Sequence, residues 1–315
     1  MITRYIIKKL LLLIPLLLGV TLVSFILLRA LPGDIALALA GERASQETIE
    51  SIRKEIGIDR DVLHQYAGYL KMLMHGDFGR SHYTNRYVLS DIALKFPNTM
   101  KLAFTAMALA VPLGIVMGYI AAYRREGITV KIIDALSLAA LSIPVFWSAI
   151  IIMIVFSLQL KLLPPSGTGD IRFLVLPSCA LAMPAAATMA RLTRTAVADV
   201  LHMPFIATAR AKGLPLPGMH VHHILKNALI PIVTIIGLDF GSYLNGAVVT
   251  ETIFGWDGIG RFTMEGIIRR DYPVIMGCVI SGTVVFIMVN LITDVLYHYL
   301  DPRLRLHGGA NGTEK

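Results

Sequence analysis

Residues 102–123 read LAFTAMALAVPLGIVMGYIAAY, twenty-two consecutive positions without a charge. As a helix rising about 1.5 Å per residue, such a run crosses the roughly 30 Å of hydrocarbon in a bilayer. Further charge-free runs cover Leu10–Leu28, Ala135–Leu160, Phe173–Ala190 and Tyr272–Thr293, and Asn227–Thr250 is interrupted only by Asp239. Six transmembrane helices are therefore predicted, and the fold class is an all-α membrane protein. Composition agrees. With 55% hydrophobic and 16% charged residues among 315, and a mean hydropathy of +0.67, the chain lacks the polar shell that a water-soluble protein of this size needs. Disorder, a collagen-like fibre and a disulfide scaffold are excluded, and Cys179 and Cys278, far apart in apolar runs, read as small buried hydrophobes.

The first run follows Arg4, Lys8 and Lys9 and is longer than the roughly 7–15 apolar residues of a signal core. Arg29, Leu31 and Pro32 intervene before Ala36-Leu37-Ala38, so a retained anchor is expected. Basic residues then set direction. With the amino terminus inside, inner segments hold fourteen Lys and Arg, whereas the short outer loops hold five: Lys161, Arg172, Arg261, Arg269 and Arg270. Both termini are expected on the cytoplasmic side, and topology accounts for the net charge of +8 without nucleic acid. The chain divides into a cytoplasmic start and first span (1–30), an external subdomain (31–101), a five-helix core (102–300) containing an inner connection at 198–228, and a cytoplasmic tail (301–315). In the external segment a short helix is expected from a Ser45 cap to Glu55, stopped at Gly57. This segment is either a solvated lid or a surface for an external partner.

No phosphate-binding loop, H-E-x-x-H or G-x-S-x-G occurs. No catalytic, cofactor-binding or metal-ligating residue is assigned, and His220, His222 and His223 lack a matching ligand set. The inner connection from Thr195 to Lys226 is too short to hold a nucleotide-binding domain, so ATP use would reside in another chain. Pro204 and Gly213 bracket a short helix, Pro204 to Lys212, outside the membrane. Ala207 and Ala211 share a face at a four-residue spacing, Phe205 and Ala209 a neighbouring one, and Arg210 and Lys212 add charge. A helix so small-sided either enters a narrow cleft on a partner or rests on lipid headgroups.

The run Phe205-Ile206-Ala207-Thr208-Ala209-Arg210-Ala211-Lys212-Gly213, followed eighteen residues after the glycine by Pro231 in Asn227-Ala228-Leu229-Ile230-Pro231, resembles the cytoplasmic "EAA" loop of ABC importer permeases. It is similar in particular to the branch serving dipeptides, oligopeptides, glutathione and nickel. Leu31-Pro32-Gly33-Asp34, Gly76-Asp77-Phe78-Gly79, the segment Glu251-Thr252-Ile253-Phe254-Gly255-Trp256-Asp257-Gly258-Ile259-Gly260-Arg261, Arg270-Asp271-Tyr272-Pro273-Val274 and Asp301-Pro302-Arg303 extend the likeness over nearly the whole chain. The resemblance implies a permease subunit of the bacterial inner membrane, not itself an enzyme, that pairs with a second, related permease. It implies two cytoplasmic ATP-binding subunits holding ATP and Mg, an extracytoplasmic substrate-binding protein, and no cofactor in this chain. Phe205 and Ala207 to Gly213 would form a coupling helix seated in a groove of the ATPase. Ala207 stands where the wider family has a glutamate, so docking would rest on shape, apolar contact and Arg210.

Asp239 stands twelve residues after Asn227, about 18 Å along a helix and near mid-bilayer. Insertion scales assign roughly 2.5–3.5 kcal/mol to an aspartate at a helix centre, so it faces protein or water. With Ser242, Asn245 and Glu251 it continues a polar sequence toward the outer face, and these four are the candidate translocation-pathway residues; the alternative for Asp239 is a bond between helices. Asn290 and Asp294 are expected to bond a neighbouring helix. Gly114-x-x-x-Gly118 and Gly237-x-x-x-Gly241 permit close helix approach, and Pro15, Pro112, Pro144, Pro177 and Pro184 invite bends. Small peptides are the expected cargo, with nickel or a metal chelate as the alternative, and an ion-coupled secondary transporter using Asp239 as the rival class.

Overall fold

The computed structural model describes residues 2–30, 45–56, 61–215 and 218–300. Leu31-Pro32-Gly33-Asp34, Gly57 and Asp301-Pro302-Arg303 lie outside the described residues. Among the described residues twelve α-helices follow one another: α1 (Ile2–Ala30), α2 (Gln46–Ile56), α3 (Val62–Met74), α4 (Val88–Arg124), α5 (Ile128–Ser142), α6 (Val145–Met153), α7 (Ile171–Leu201), α8 (Pro204–Ala211), α9 (Lys226–Leu244), α10 (Val248–Ile253), α11 (Ile259–Arg269) and α12 (Tyr272–Leu300). Two π-helical turns, Ile154–Gln159 and Met219–Leu225, extend α6 and lead into α9. Among the described residues the only β pairing is an isolated bridge between Arg80 and Tyr87.

Among the described residues four helices are each long and apolar enough to cross a bilayer: Val88–Arg124, Ile171–Leu201, His223–Leu244 and Tyr272–Leu296. The α5–α6 pair passes only together, bent by 104°. Ala135–Leu160 is thus a pair of helices meeting at the place where a bend was expected, and the break is sharper than a kink within one span. Pro144 is the cause: it has no N–H to give, and it holds Ile143 in an extended conformation (φ −86°, ψ 125°), which ends α5. By contrast Pro15, Pro112, Pro177 and Pro184 sit inside continuous helices. α1 carries the apolar stretch Leu11–Leu27. Its Lys9 forms an ion pair with Asp294 of α12, which places the start of α1 beside the end of α12.

Two further boundaries differ from the hydropathy reading. α4 begins at Val88, so the expected division at residue 101 falls inside a helix. α9 stops at Leu244 and does not run to Thr250. There the chain turns through Gly246 at φ +103°, where a β-carbon would lie 2.8 Å from the Cα of Gly260, so both the conformation and the close approach demand glycine.

The centre of the bundle is the contact of α4 with α7. It is built from small residues: Ala103, Ala106 and Ala110 of α4 and Ala180, Ala185, Ala186 and Ala190 of α7 are all buried. Gly114 and Gly118 bring the backbones together. A β-carbon at Gly114 would lie 2.7 Å from the carbonyl oxygen of Ala186, and one at Gly118 would lie 2.6 Å from Cβ of Thr193. In lipid, where burial of apolar surface gives no drive between helices, such close approach supplies the dispersion contacts that hold them. α9 meets α12 in the same way, with Gly237 against Thr293 and Gly241 against the Phe286 ring. Gly118→Val is therefore expected to cost on the order of 2 kcal/mol or more through overpacking, read as a lower Tm of the detergent-purified subunit. Gly68→Ala on α3, where a β-carbon meets nothing within 4 Å, leaves Tm unchanged or raises it.

Candidate functional site

At one end of the bundle the chain between α7 and α9 forms α8. Pro204 starts it, at a position whose N–H would have no helical partner. Gly213, at φ +71°, ends it, and the Leu214 N–H returns to the Ala209 carbonyl at 3.2 Å, closing a left-handed C-terminal cap. The helix ends at Ala211, one residue before the expected limit, because Lys212 already belongs to that turn. Its two faces differ. Ile206 and Ala209 are buried and Phe205 is half-buried, whereas Ala207, Thr208, Ala211, Lys212 and Gly213 are exposed. The side chain of Arg210 lies outside the described residues.

The buried face is rooted in three spanning helices. Ile206 belongs to one apolar cluster with Ala122 at the end of α4, Val197 and Val200 at the end of α7, Met219 and Ile224 in the π-helical turn, and Ala228 at the start of α9. The histidines below it serve this packing. His220 stands edge-on to Tyr119 and Tyr123, with ring centroids 5.8 and 5.1 Å away, and its Nδ1 is hydrogen-bonded to the Tyr119 hydroxyl. His223 packs beside Phe205 at 6.5 Å.

Along α9, Asp239 is half-buried, and its Oδ2 is enclosed with no hydrogen-bond partner among the described residues. Tyr243, one turn on, donates its hydroxyl to the Leu181 carbonyl of α7 at 2.9 Å. Ser242 and Asn245 are exposed, and the Asn245 carboxamide packs on Gly282 of α12. Glu251 does not join them. It is completely buried, and its carboxylate caps the next helix: Oε1 accepts from the Thr99 hydroxyl at 2.9 Å and Oε2 from the Arg261 N–H at 3.0 Å in the first turn of α11. Thr99 in turn accepts the Ile259 N–H at 2.8 Å. The four residues expected along a pathway are therefore not brought to one surface, because the break at Gly246 sends Glu251 back against α4.

The knot around Glu251 was missed by sequence reasoning. Trp256 donates its ring N–H to the Asn98 carbonyl at 3.0 Å, Asn98 donates to the Asp257 carbonyl at 2.8 Å, and Lys95 pairs with Asp257. Gly258 passes so close to Glu251 and Thr99 that a β-carbon would lie 2.6 Å from the carboxylate carbon. A second motif pair meets nearby: Ser81 donates to the buried Asp271 at 2.5 Å, and Gly79 packs on Pro273. The signal that was available is the glutamate standing eight residues before a helix start rich in glycine, which has no local cap of its own.

Family comparison gives this geometry its context. Residues 110–306 match the "Binding-protein-dependent transport system inner membrane component" family, and residues 1–103 match the N-terminal region of such membrane components. The chain belongs to this family. It is also 38% identical to the glutathione transport system permease protein GsiC of Escherichia coli (strain K12) over 302 residues, 96% of this chain and 99% of that one. The Pectobacterium atrosepticum protein of the same name is 40% identical over 302 residues, with the same coverage. Among solved structures, two crystal forms of the inward-facing MetNI methionine ABC transporter share the fold. They superimpose with TM-scores of 0.53 and 0.56 at 14% and 15% identity, covering 68% and 67% of this chain and 97% and 96% of theirs. The permease is thus a multi-pass transport subunit of the bacterial inner membrane, and ATP hydrolysis belongs to a separate subunit of its ABC importer.

Burial raises the Glu251 pKa above its ordinary value of 4.5, outweighing the hydrogen bonds from Arg261, Thr99 and Gly260 that favour the ionised form. The folded permease therefore holds this proton more tightly than the unfolded chain. The stability this provides is complete below the unfolded pKa and is lost as pH rises through the higher folded value. Glu251→Gln is expected to narrow the difference between melting temperatures at pH 5 and pH 8. Glu251→Ala, which leaves buried donors unpaired, is expected to cost about 3 kcal/mol at either pH.

Proposed function

We propose that the permease forms half of the import pathway for small peptides, beside a second, related permease, and that α8 is the coupling helix through which two ATP-binding subunits drive it. In this reading both termini are cytoplasmic and the outer knot faces an extracytoplasmic substrate-binding protein. The observation that carries it is the two-sidedness of α8: a face of Ala207, Thr208 and Ala211 left bare, above a face rooted through Ile206 in the ends of α4, α7 and α9. A face of small side chains lets a partner's backbone approach closely. A push on it is carried into three spanning helices because interlocked side chains transmit displacement without yielding. Peptide cargo is supported by the similarity to glutathione permeases, glutathione being a tripeptide.

The two faces separate in experiment. Ala207→Trp and Ala211→Trp are expected to abolish co-purification of the ATP-binding subunit while the permease still inserts in membranes. Ile206→Ala keeps the bare face and is expected to retain that association while lowering peptide uptake per ATP hydrolysed at least severalfold. Unchanged co-purification in both tryptophan variants overturns the coupling role.

A further inference from the structure

Between α1 and α4, where the sequence alone leaves open a solvated lid or a partner surface, α3 has three sides of different character. Gln65, Tyr66, Tyr69 and Leu73 are half-buried. Leu63, Ala67 and Met74, four and seven residues apart, share a second side, and all are exposed, Leu63 to 75% and Met74 to 80%. His64, Lys71 and His75 share a third side, also exposed. The composition differs sharply from that of the neighbouring α2. There Glu47, Glu50, Arg53, Lys54 and Glu55 stand among eleven residues, whereas Lys71 is the one Lys, Arg, Asp or Glu in the thirteen of α3.

Where α3 is held decides what meets its apolar side. Tyr66 donates its hydroxyl to the Leu18 carbonyl at 3.2 Å, stands 3.0 Å from the Thr21 hydroxyl, and places its ring 5.4 Å from that of Phe25. Tyr69 packs beside Phe25 on Ile275 and Met276, near the start of α12. Leu18 stands nine residues before Leu27, the end of the apolar stretch of α1, so its carbonyl lies about 14 Å inside that stretch. One tyrosine side chain thus ties α3 to the interior of a segment that sits in hydrocarbon. Leu18 and Leu22, on either side of the buried Thr21, are themselves exposed. The lipid-facing surface of α1 therefore runs up to the point of attachment.

We propose that α3 is an interfacial helix, lying on the membrane at the end of the bundle where α12 begins, with Leu63, Ala67 and Met74 among the acyl chains and His64, Lys71 and His75 in water. A helix of this kind sinks its apolar side about 5–10 Å into the boundary between headgroups and acyl chains. Aromatic rings gather at the same level, where Phe25, Tyr66, Tyr69 and Tyr272 are found. A lid in water needs only a seat and a polar side. A third, apolar side next to the lipid face of α1 fits a helix that meets protein, lipid and water at once.

The test uses the complete importer in proteoliposomes of phosphatidylcholine, with Cys179→Ala and Cys278→Ala in the permease and the other subunits freed of cysteine. An environment-sensitive fluorophore is attached in turn to Leu63→Cys, Met74→Cys, His64→Cys and Lys71→Cys. Quenching by phosphatidylcholine brominated near the top of its acyl chains is expected to be about threefold or more stronger in the first two than in the last two, with the reverse order for aqueous iodide. Iodide quenching of Leu63→Cys and Met74→Cys as strong as that of the other two overturns the proposal in favour of a solvated helix. Fluorophores at those two positions that neither quencher reaches overturn it in favour of contact with a protein subunit. Amide hydrogen exchange gives a second readout without a label. Leu63→Asp combined with Met74→Asp is expected to speed exchange within α3 about tenfold or more while leaving α2 unchanged; unchanged exchange within α3 overturns the proposal.

Discussion

The approach of α4 to α7, with glycines where any β-carbon would strike backbone, is the contact on which both ends of the permease depend. Between helices in lipid there is no hydrophobic gain, only the fit of one surface on another. Gly114 and Gly118 make that fit close enough for the pair to behave as one body. Toward its N-terminal end α4 presents Lys95, Asn98 and Thr99, onto which the segment from Glu251 to Arg261 is tied. At the opposite end, the C-terminal ends of α4 and α7 contribute Ala122, Val197 and Val200 to the seat of α8. A displacement at one end therefore meets a stiff column and not a chain of loose joints.

The knot around Glu251 illustrates how a buried carboxylate is kept. Glu251 carries a desolvation cost, which the protein offsets by making it the cap of α11: its oxygens satisfy N–H groups at a helix start that has no side-chain cap of its own. Thr99 completes the arrangement by accepting from Ile259 while donating to Glu251. Gly258 follows from this, since a β-carbon there would strike the carboxylate, whereas Gly260 is required mainly by the Val248 backbone, which would lie 2.8 Å from one. The run from Glu251 to Arg261, which resembled a signature when met as sequence, is thus one structural device read along its length.

What was legible in the residues, and what was not, divides by range. Runs free of charge located the spanning helices, since crossing hydrocarbon is a local requirement on composition. Pro204 and Gly213 located α8 to within one residue, since caps are local as well. Direction was not legible. Pro144 marked a place to bend but not the 104° by which it turns α5 from α6, and a count of apolar residues does not register that Gly246 ends α9 early. Partners distant in sequence were equally invisible: Glu251 looked like a polar residue continuing from Asp239, and only folding reveals Thr99, 152 positions earlier, as its neighbour. Ile206, the residue that roots α8, was quoted within its run but given no role, because nothing local says which helix ends an apolar side chain will meet.

The shortness of α8 has a consequence of its own. Eight residues are well below the roughly 12–15 at which an isolated helix becomes even marginal in water, so the segment owes its shape to Ile206 and Ala209 being held from beneath. A synthetic copy of it would be coil. The surface it offers comes into existence only once the surrounding helices have closed up beneath it, so whatever α8 meets can be met only by the folded permease.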